Sequence, residues 1–390
     1  MTLRMSQPTA PFRADHVGSL LRPAPLLAAR DRHKQGLITT AELRAAEDSA
    51  IRDAVRMQHG LGLLSATDGE FRRASWHMDF LYQVGGVTRV QDKPAQGDLA
   101  PDNFRVQFRN EQGVIEFTAA ALRVAGKLHF PHCIFAEDFA FLKSVTPPGV
   151  TPKLTIPSPS MMHYRGGRAA IDENVYPDLD EFWSDLGQVY ARQVAALAAL
   201  GCTYLQLDDT SLAYLNDPAQ REHVTRLGGD GARQHLTIIR VVNAALANKP
   251  AGMVVTTHLC RGNFRSSWAA SGGYDYVAEA LFNELNVDGF FLEFDDDRSG
   301  GFEPLRFVPR GGHNAKKVVL GLITSKRPEL ETKDALKRRI DQAAKFIPLE
   351  QLCLSPQCGF SSTVEGNALT LDEQSAKLAR VVEVAHEVWP

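Results

Sequence analysis

Short runs of Val, Ile and Leu recur along the chain, separated by longer stretches in which apolar residues return every three or four positions. The first pattern suits strands buried on both faces, and the second suits helices laid against a sheet. The predicted strands are Phe12–Gly18, Gly62–Asp68, Lys153–Pro157, Tyr204–Asp208, Met253–His258, Gly289–Phe294, Lys316–Ile323 and Gln351–Pro356. The predicted helices are Thr39–Leu61, with Thr39 and Glu42 at capping-box spacing, and Leu179–Leu200, closing at Gly201, followed by Ala232–Asn248, Ser266–Leu285, Lys333–Phe346 and Asp372–Val388. Eight strands with interleaved helices predict an α/β fold, a single (β/α)8 TIM barrel over residues 1–390, rather than an open doubly wound sheet. No G-x-G-x-x-G turn follows a strand, which counts against dinucleotide binding.

One interval breaks the rhythm. Val84–Pro131 alternates polar and apolar residues (FRVQFRN, VIEFTAA) around a turn-like Asn110–Gly113. It reads as a β-hairpin excursion between strands two and three, placed to cover the barrel mouth.

Composition narrows the function. With 390 residues, 44% hydrophobic, the chain can bury a large core. A net charge of −3 offers no basic field for nucleic acid, so small-molecule chemistry is expected. No apolar run reaches the roughly 20 residues that span a bilayer, and the N-terminal stretch has no signal-peptide apolar region, so a cytoplasmic location is expected. The 5 cysteines are too sparse and odd in number for a disulfide framework. Cys202 and Cys353 read as packing residues.

The reactive residue types gather at the C-terminal ends of the predicted strands, the end where barrel enzymes build their sites. In order they are Gly18-Ser19, Asp68-Gly69-Glu70, Ser158, Asp208-Asp209, His258-Leu259-Cys260, Glu293, Thr324-Ser325-Lys326 and Cys358. His258 and Cys260 by themselves fit a hydrogen-bonded histidine and a buried filler as well as they fit metal ligands. Cys358 before Gly359, and Glu293 closing FFLE, tip the reading toward metal. One imidazole, two thiolates and a carboxylate suit tetrahedral zinc, which holds a substrate thiol as thiolate. Glu70 and Asp208 either cap helices and meet solvent or, together on such a face, bind an ammonium group. Ser19, in a turn after Gly18, offers a backbone N–H or hydroxyl to a carboxylate.

At these residues the sequence resembles the cobalamin-independent methionine synthase family, through its C-terminal catalytic barrel and its shorter single-barrel members. The resemblance runs through VGSLLRP, DGEFRR, KLTIPSPS, YLQLDD, THLCRGN, VDGFFLEFDD, VVLGLITSKRPELE and LCLSPQCGF. It implies zinc on His258, Cys260, Glu293 and Cys358, homocysteine on Ser19, Glu70 and Asp208, and methyl transfer to the homocysteine thiol to form methionine. Two departures concern the methyl donor. The full-length enzymes carry a second, N-terminal barrel that helps hold a polyglutamyl folate, and 390 residues leave no room for it. Where those enzymes have a histidine thought to protonate the departing folate nitrogen, this chain matches Lys326, and their pterin-side aromatic falls on His163.

Donor identity stays open between methyltetrahydrofolate, a more activated donor, and a methyl carried by a corrinoid or partner protein. A homo-oligomer is equally compatible with the sequence. The competing enzyme readings are a zinc alkyltransferase or lyase acting on another thiol such as coenzyme M, and a metal-free decarboxylase of the uroporphyrinogen decarboxylase type. The acidic pair argues against a sulfonate thiol, and the ligand set argues against a metal-free site. A barrel with a structural zinc or a purely binding role is the remaining alternative.

Overall fold

The structure is a computed structural model that describes residues 9–90, 105–110, 113–118, 120–312 and 315–390. Its strands are β1 Ser65–Ala66, β2 Gly85–Arg89, β3 Arg105–Asn110, β4 Gly113–Thr118, β5 Leu122–His129, β6 Thr151–Pro157, β7 Tyr204–Asp209, β8 Val254–Leu259, β9 Gly289–Glu293, β10 Lys317–Ile323 and β11 Leu352–Pro356. Seven of them form one parallel sheet in the order β1-β6-β7-β8-β9-β10-β11. The sheet curls as in a TIM-like barrel.

The predicted strand Phe12–Gly18 occupies the gap between the ends of this sheet, but it is not a regular strand. Ala14 makes a single parallel bridge to Leu354, with Asp15 N–H donating to Leu354 O (3.0 Å) and Leu354 N–H to Arg13 O (2.8 Å). Toward β1 the joint runs through Ser65 Oγ to Asp15 Oδ1 (3.0 Å) and Thr67 Oγ1 to Gly18 O (2.6 Å). The reason is local. The Asp15 carboxylate accepts the Phe12 and His16 N–H groups (3.2 and 2.8 Å), removing donors that a ladder would use.

Alternation along the strands separates two environments. Leu154, Ile156, Leu205, Leu207, Val255, Phe290, Leu292, Val318 and Leu320 pack outward into the main core under the helices. Each such fully buried side chain contributes about 1.5–3 kcal/mol. The other register points inward and is far more polar: Lys153, Tyr204, Gln206 and Thr256 join a small cluster of Val17, Phe291, Val319 and Cys353. Lys153 Nζ lies 4.8 Å from the Tyr204 ring centre and 4.1 Å from that of Phe291, and reaches Asp15 Oδ1 at 3.4 Å.

The covering helices include Thr40–Gly60, whose capping box pairs Glu42 N–H with Thr39 Oγ1 (3.2 Å) and Thr39 N–H with Glu42 Oε2 (2.7 Å). Leu179–Ala199, Gln234–Leu246, Lys333–Ala343 and Leu371–Val388 match the periodic stretches within a few residues at each end. Ser266–Leu285 does not: only Ala278–Glu284 is helical. Arg265 and Ser266 adopt left-handed backbone (φ 47° and 60°), and Trp268 pairs instead with Arg109 through N–H···O bonds of 2.7 and 2.9 Å. In the interval between β1 and β6, β2 pairs antiparallel with β5, and β3 with β4. Residues 91–104, 111–112 and 119, including the expected turn, lie outside the described residues. The Arg109–Trp268 bridge brings Phe108 to Phe264, with ring centres 5.7 Å apart. No helix among the described residues is long and apolar enough to cross a membrane.

Candidate functional site

His258 closes β8, Glu293 closes β9, and Cys260 and Cys358 lie one and two residues beyond β8 and β11. Their ligand atoms all fall within 4.8 Å of one another and all four residues are buried. Cys260 Sγ and Cys358 Sγ are 3.4 Å apart, too far for a disulfide, and both thiols are free. Two zinc–sulfur bonds of about 2.3 Å at a tetrahedral angle put the sulfurs about 3.8 Å apart, close to this separation. Neither ring nitrogen of His258 makes a hydrogen bond. A buried imidazole with two idle nitrogens, facing two sulfurs and a carboxylate, fits a metal.

Neighbours hold the set in position. Gln357 Nε2 donates to Glu293 Oε1 (3.2 Å), Arg261 Nη1 donates to Glu293 O (3.0 Å), and Gly262 N–H points at Cys260 Sγ (3.3 Å). The shared S–H···S bond pushes the Cys260 thiol up and pulls Cys358 down. Burial pushes Glu293 up. It would push His258 down, but Cys358, Asp208 and Glu293 beside it carry the imidazole above its ordinary value.

A cavity of about 260 Å³ opens over this cluster. His258, Cys260 and Cys358 form part of its wall, and Ser19, Glu70 and Asp208 form another part. Glu70 adopts left-handed backbone (φ 60°) after Gly69, a conformation uncommon for a residue with a side chain. Its Oε1 accepts from Thr155 Oγ1 (2.8 Å) with Arg73 Nη1 at 3.6 Å, while Oε2 is buried with no hydrogen bond. Asp208 Oδ1 accepts from Gln206 Nε2 (2.7 Å). Burial raises both carboxyls, Asp208 to about 7. Ser19 O accepts from Phe360 N–H (3.0 Å), and a Cβ on Gly359 would lie 2.0 Å from Ser19 Oγ. Glycine at 359 is therefore what lets the Cys358 turn approach the Ser19 turn.

Lys326 and His163 sit differently. Lys326 is buried, with Nζ free of hydrogen bonds, and lines a neighbouring cavity of about 500 Å³ together with Thr324 and Trp268. Its charge lowers both cysteines and Glu293, so it lies within electrostatic reach of the cluster. His163 does not line the cavity above the cluster. It packs against Trp183 and Phe182 (ring centres 4.9 and 6.2 Å away), where burial drives its pKa down to about 4.

The cavity also uses Trp76, His77, Phe108, Arg165, Tyr214 and Phe264. The sequence reading assigns a role to none of them. Trp76, His77, Arg165 and Phe264 lie between regular elements, where no periodicity marks them, Tyr214 closes the one-turn helix Ser211–Tyr214, and Phe108 arrives only through the β3–β4 pair.

Comparison with known proteins agrees with this picture. Residues 165–387 match the family described as cobalamin-independent synthase, catalytic domain. A Bacillus subtilis protein, YxjH, itself uncharacterized, is 47% identical over 383 residues, covering 98% of this chain and 96% of that one. A solved Listeria monocytogenes structure, provisionally assigned as a vitamin-B12-independent methionine synthase, is 39% identical and superposes with a TM-score of 0.74 over 98% of this chain and 99% of that one. The Pyrococcus abyssi methionine synthase is 22% identical over 343 residues, 88% of this chain and 84% of that protein. With the profile match spanning more than half its length, the chain belongs to the cobalamin-independent methionine synthase family.

Proposed function

We propose that the protein is a zinc-dependent methyltransferase that methylates the thiol of homocysteine to give methionine, with His258, Cys260, Glu293 and Cys358 as the metal ligands. The observation that carries this reading is the meeting of those four ligand atoms within 4.8 Å, in a cavity whose wall also presents Glu70 and Asp208. Zinc bound there would supply the charge that keeps a substrate thiol deprotonated at neutral pH.

The chain's own residues then orient the reactants. Glu70, with one idle oxygen, and Asp208 hold the amino-acid ammonium, and Ser19 meets its carboxylate. The thiolate sulfur attacks the donor methyl carbon in line, forming the S–CH3 bond as the bond to the leaving group breaks and takes its electron pair. Lys326 adds positive charge beside the sulfurs and is the group available to protonate a departing amine. A departing amine needs a proton, so donors that leave without protonation, such as sulfoniums or methylcorrinoids, should outpace methyltetrahydrofolate monoglutamate.

The test is methionine formation, followed by mass spectrometry, from homocysteine and a panel of methylfolate, sulfonium and methylcorrinoid donors. At least one donor should give methionine in the wild type and none in Cys358→Ala. Methionine formation that survives in Cys358→Ala, or the absence of methionine with every donor from zinc-loaded protein, contradicts the reading.

A further inference from the structure

Arg165 has no part in the chemistry so far. It follows β6 in the turn between Met162 and Gly167, at the strand end where barrel sites are built. It is the only lysine or arginine among the described residues that line the cavity over the sulfur cluster, whose other charged side chains, Glu70, Asp208, Asp209 and Glu365, are all acidic. Those acids are not its partners. Asp209 is occupied by Ser160 Oγ (2.8 Å), Ser211 Oγ (2.7 Å) and Leu212 N–H (2.8 Å), and Glu70 is held by Thr155 and Arg73. The Arg165 guanidinium itself makes no hydrogen bond or ion pair among the described residues. Its titratable neighbours Tyr164, Tyr214 and His77 are all kept neutral by burial, and burial lowers the Arg165 pKa as well.

A half-buried guanidinium with five donors and no acceptor is expensive to keep unless something supplies the acceptor. The surroundings show where that acceptor would lie. Arg165, Phe108 and Tyr214 line both the cluster cavity and a second chamber of about 680 Å³. Tyr214 stands at this partition: its hydroxyl would be 2.7 Å from a Cβ on Gly262, two residues from Cys260. The second chamber is lined by Arg109, His223 and Arg226 as well as Glu116 and Asp217, so its arginines, with Arg165, outnumber its carboxylates. One cavity therefore has an acidic part beside the thiol cluster and a cationic part at the partition, with room beyond the partition for a further group.

We propose that Arg165 is the docking point for a carboxylate of the methyl donor, which enters from the second chamber with its methyl group directed past Tyr214 toward the cluster. The proposal rests on the methyl-transfer reading and adds the chemical class of the second substrate. Planar bidentate pairing with a carboxylate is what a guanidinium does best. Two sources share this chemistry: the glutamyl tail of a folate and a small donor that carries its own carboxylate.

Binding separates them without needing turnover. Zinc-loaded wild type, Arg165→Met and Arg165→Lys are titrated with 5-formyltetrahydrofolate against 6-methyltetrahydropterin, and with 3-(methylthio)propionate against ethyl methyl sulfide. In the wild type at least one carboxylate should bind about tenfold or more tighter than its uncharged counterpart, the usual worth of a charge-assisted hydrogen bond. The pair that shows it names the source. The preference should vanish in Arg165→Met and return in part in Arg165→Lys, with homocysteine affinity unchanged in both. No preference in the wild type, or one that survives Arg165→Met, overturns the proposal. So does a tenfold loss of homocysteine affinity in Arg165→Met, which would assign Arg165 to the thiol substrate's own carboxylate. Failure of the wild type to bind homocysteine at all would instead strike the methyl-transfer reading and leave the carboxylate preference to be judged separately.

Discussion

Two sets of buried ionisable groups lie inside the same barrel and are treated in opposite ways. At the N-terminal end of the strands, the Asp15 carboxylate is saturated: it accepts from Tyr204 Oη (2.7 Å), Ser65 Oγ (3.0 Å), two backbone N–H groups and Lys153 Nζ. At the C-terminal end, Glu70 keeps an idle oxygen, His258 two idle nitrogens and Lys326 an idle ammonium. A saturated buried network is structural, because every group has found a protein partner. An unsaturated one stores binding capacity for something outside the chain. The Asp15–Lys153 pair and the groups at the mouth differ in that respect, not in their content of charge, although His16 beside Asp15 also keeps two unpartnered ring nitrogens.

Breaking the floor should cost the most. Asp15→Ala leaves Lys153 buried without its counter-ion and should destabilise the fold by about 3–5 kcal/mol in chemical denaturation. Although burial alone would raise Asp15, Lys153, His16 and Tyr204 hold its pKa below the ordinary carboxylate value of 3.8. The stability it contributes is therefore fully present above the ordinary carboxylate range and is lost as pH falls through the lower folded value. The gap between wild type and Asp15→Ala should accordingly be constant at neutral pH and narrow only in strong acid.

Changes at the mouth should leave the fold standing and remove binding. Asp208→Asn should weaken homocysteine binding by about 1.5–3 kcal/mol in calorimetric titration, with zinc content retained. Equal affinity in wild type and variant would mean that the acidic pair does not hold an ammonium. Of similar size, Gln357→Leu removes the donor that fixes Glu293 Oε1 and should lower zinc affinity about 10- to 100-fold in chelator competition, and it should lower the unfolding midpoint as well because Ser325 N–H and Oγ lose their acceptor.

The same contrast explains what could be read from the sequence. The central strands were legible because a parallel strand buried on both faces is a short, nearly continuous apolar run, as FFLE in β9 shows. The strand-end residues were legible because polar types stand out against such runs. Phe12–Gly18 misled because its Asp15 diverts backbone donors, a tertiary event that its pattern does not record. Ser266–Leu285 is helical only in its second half, because its first half (SSWAASGGYD) is rich in Ser and Gly and its Trp268 is taken by Arg109, some 160 residues away in the chain. His163 carried over by position from relatives, yet the ring turns toward Trp183. Arg165, two residues further on, is the side chain that reaches the cavity.

The central claim is that His258, Cys260, Glu293 and Cys358 hold a zinc ion to which the substrate thiol binds. Zinc K-edge absorption on metal-quantified protein, with and without homocysteine, tests it directly. The account predicts about one zinc per chain, with sulfur neighbours rising from two, for the two cysteines of the cluster, to three when homocysteine is added. Well-folded protein purified without zinc that fails to take it up, or a sulfur count that stays at two under saturating homocysteine, would contradict it.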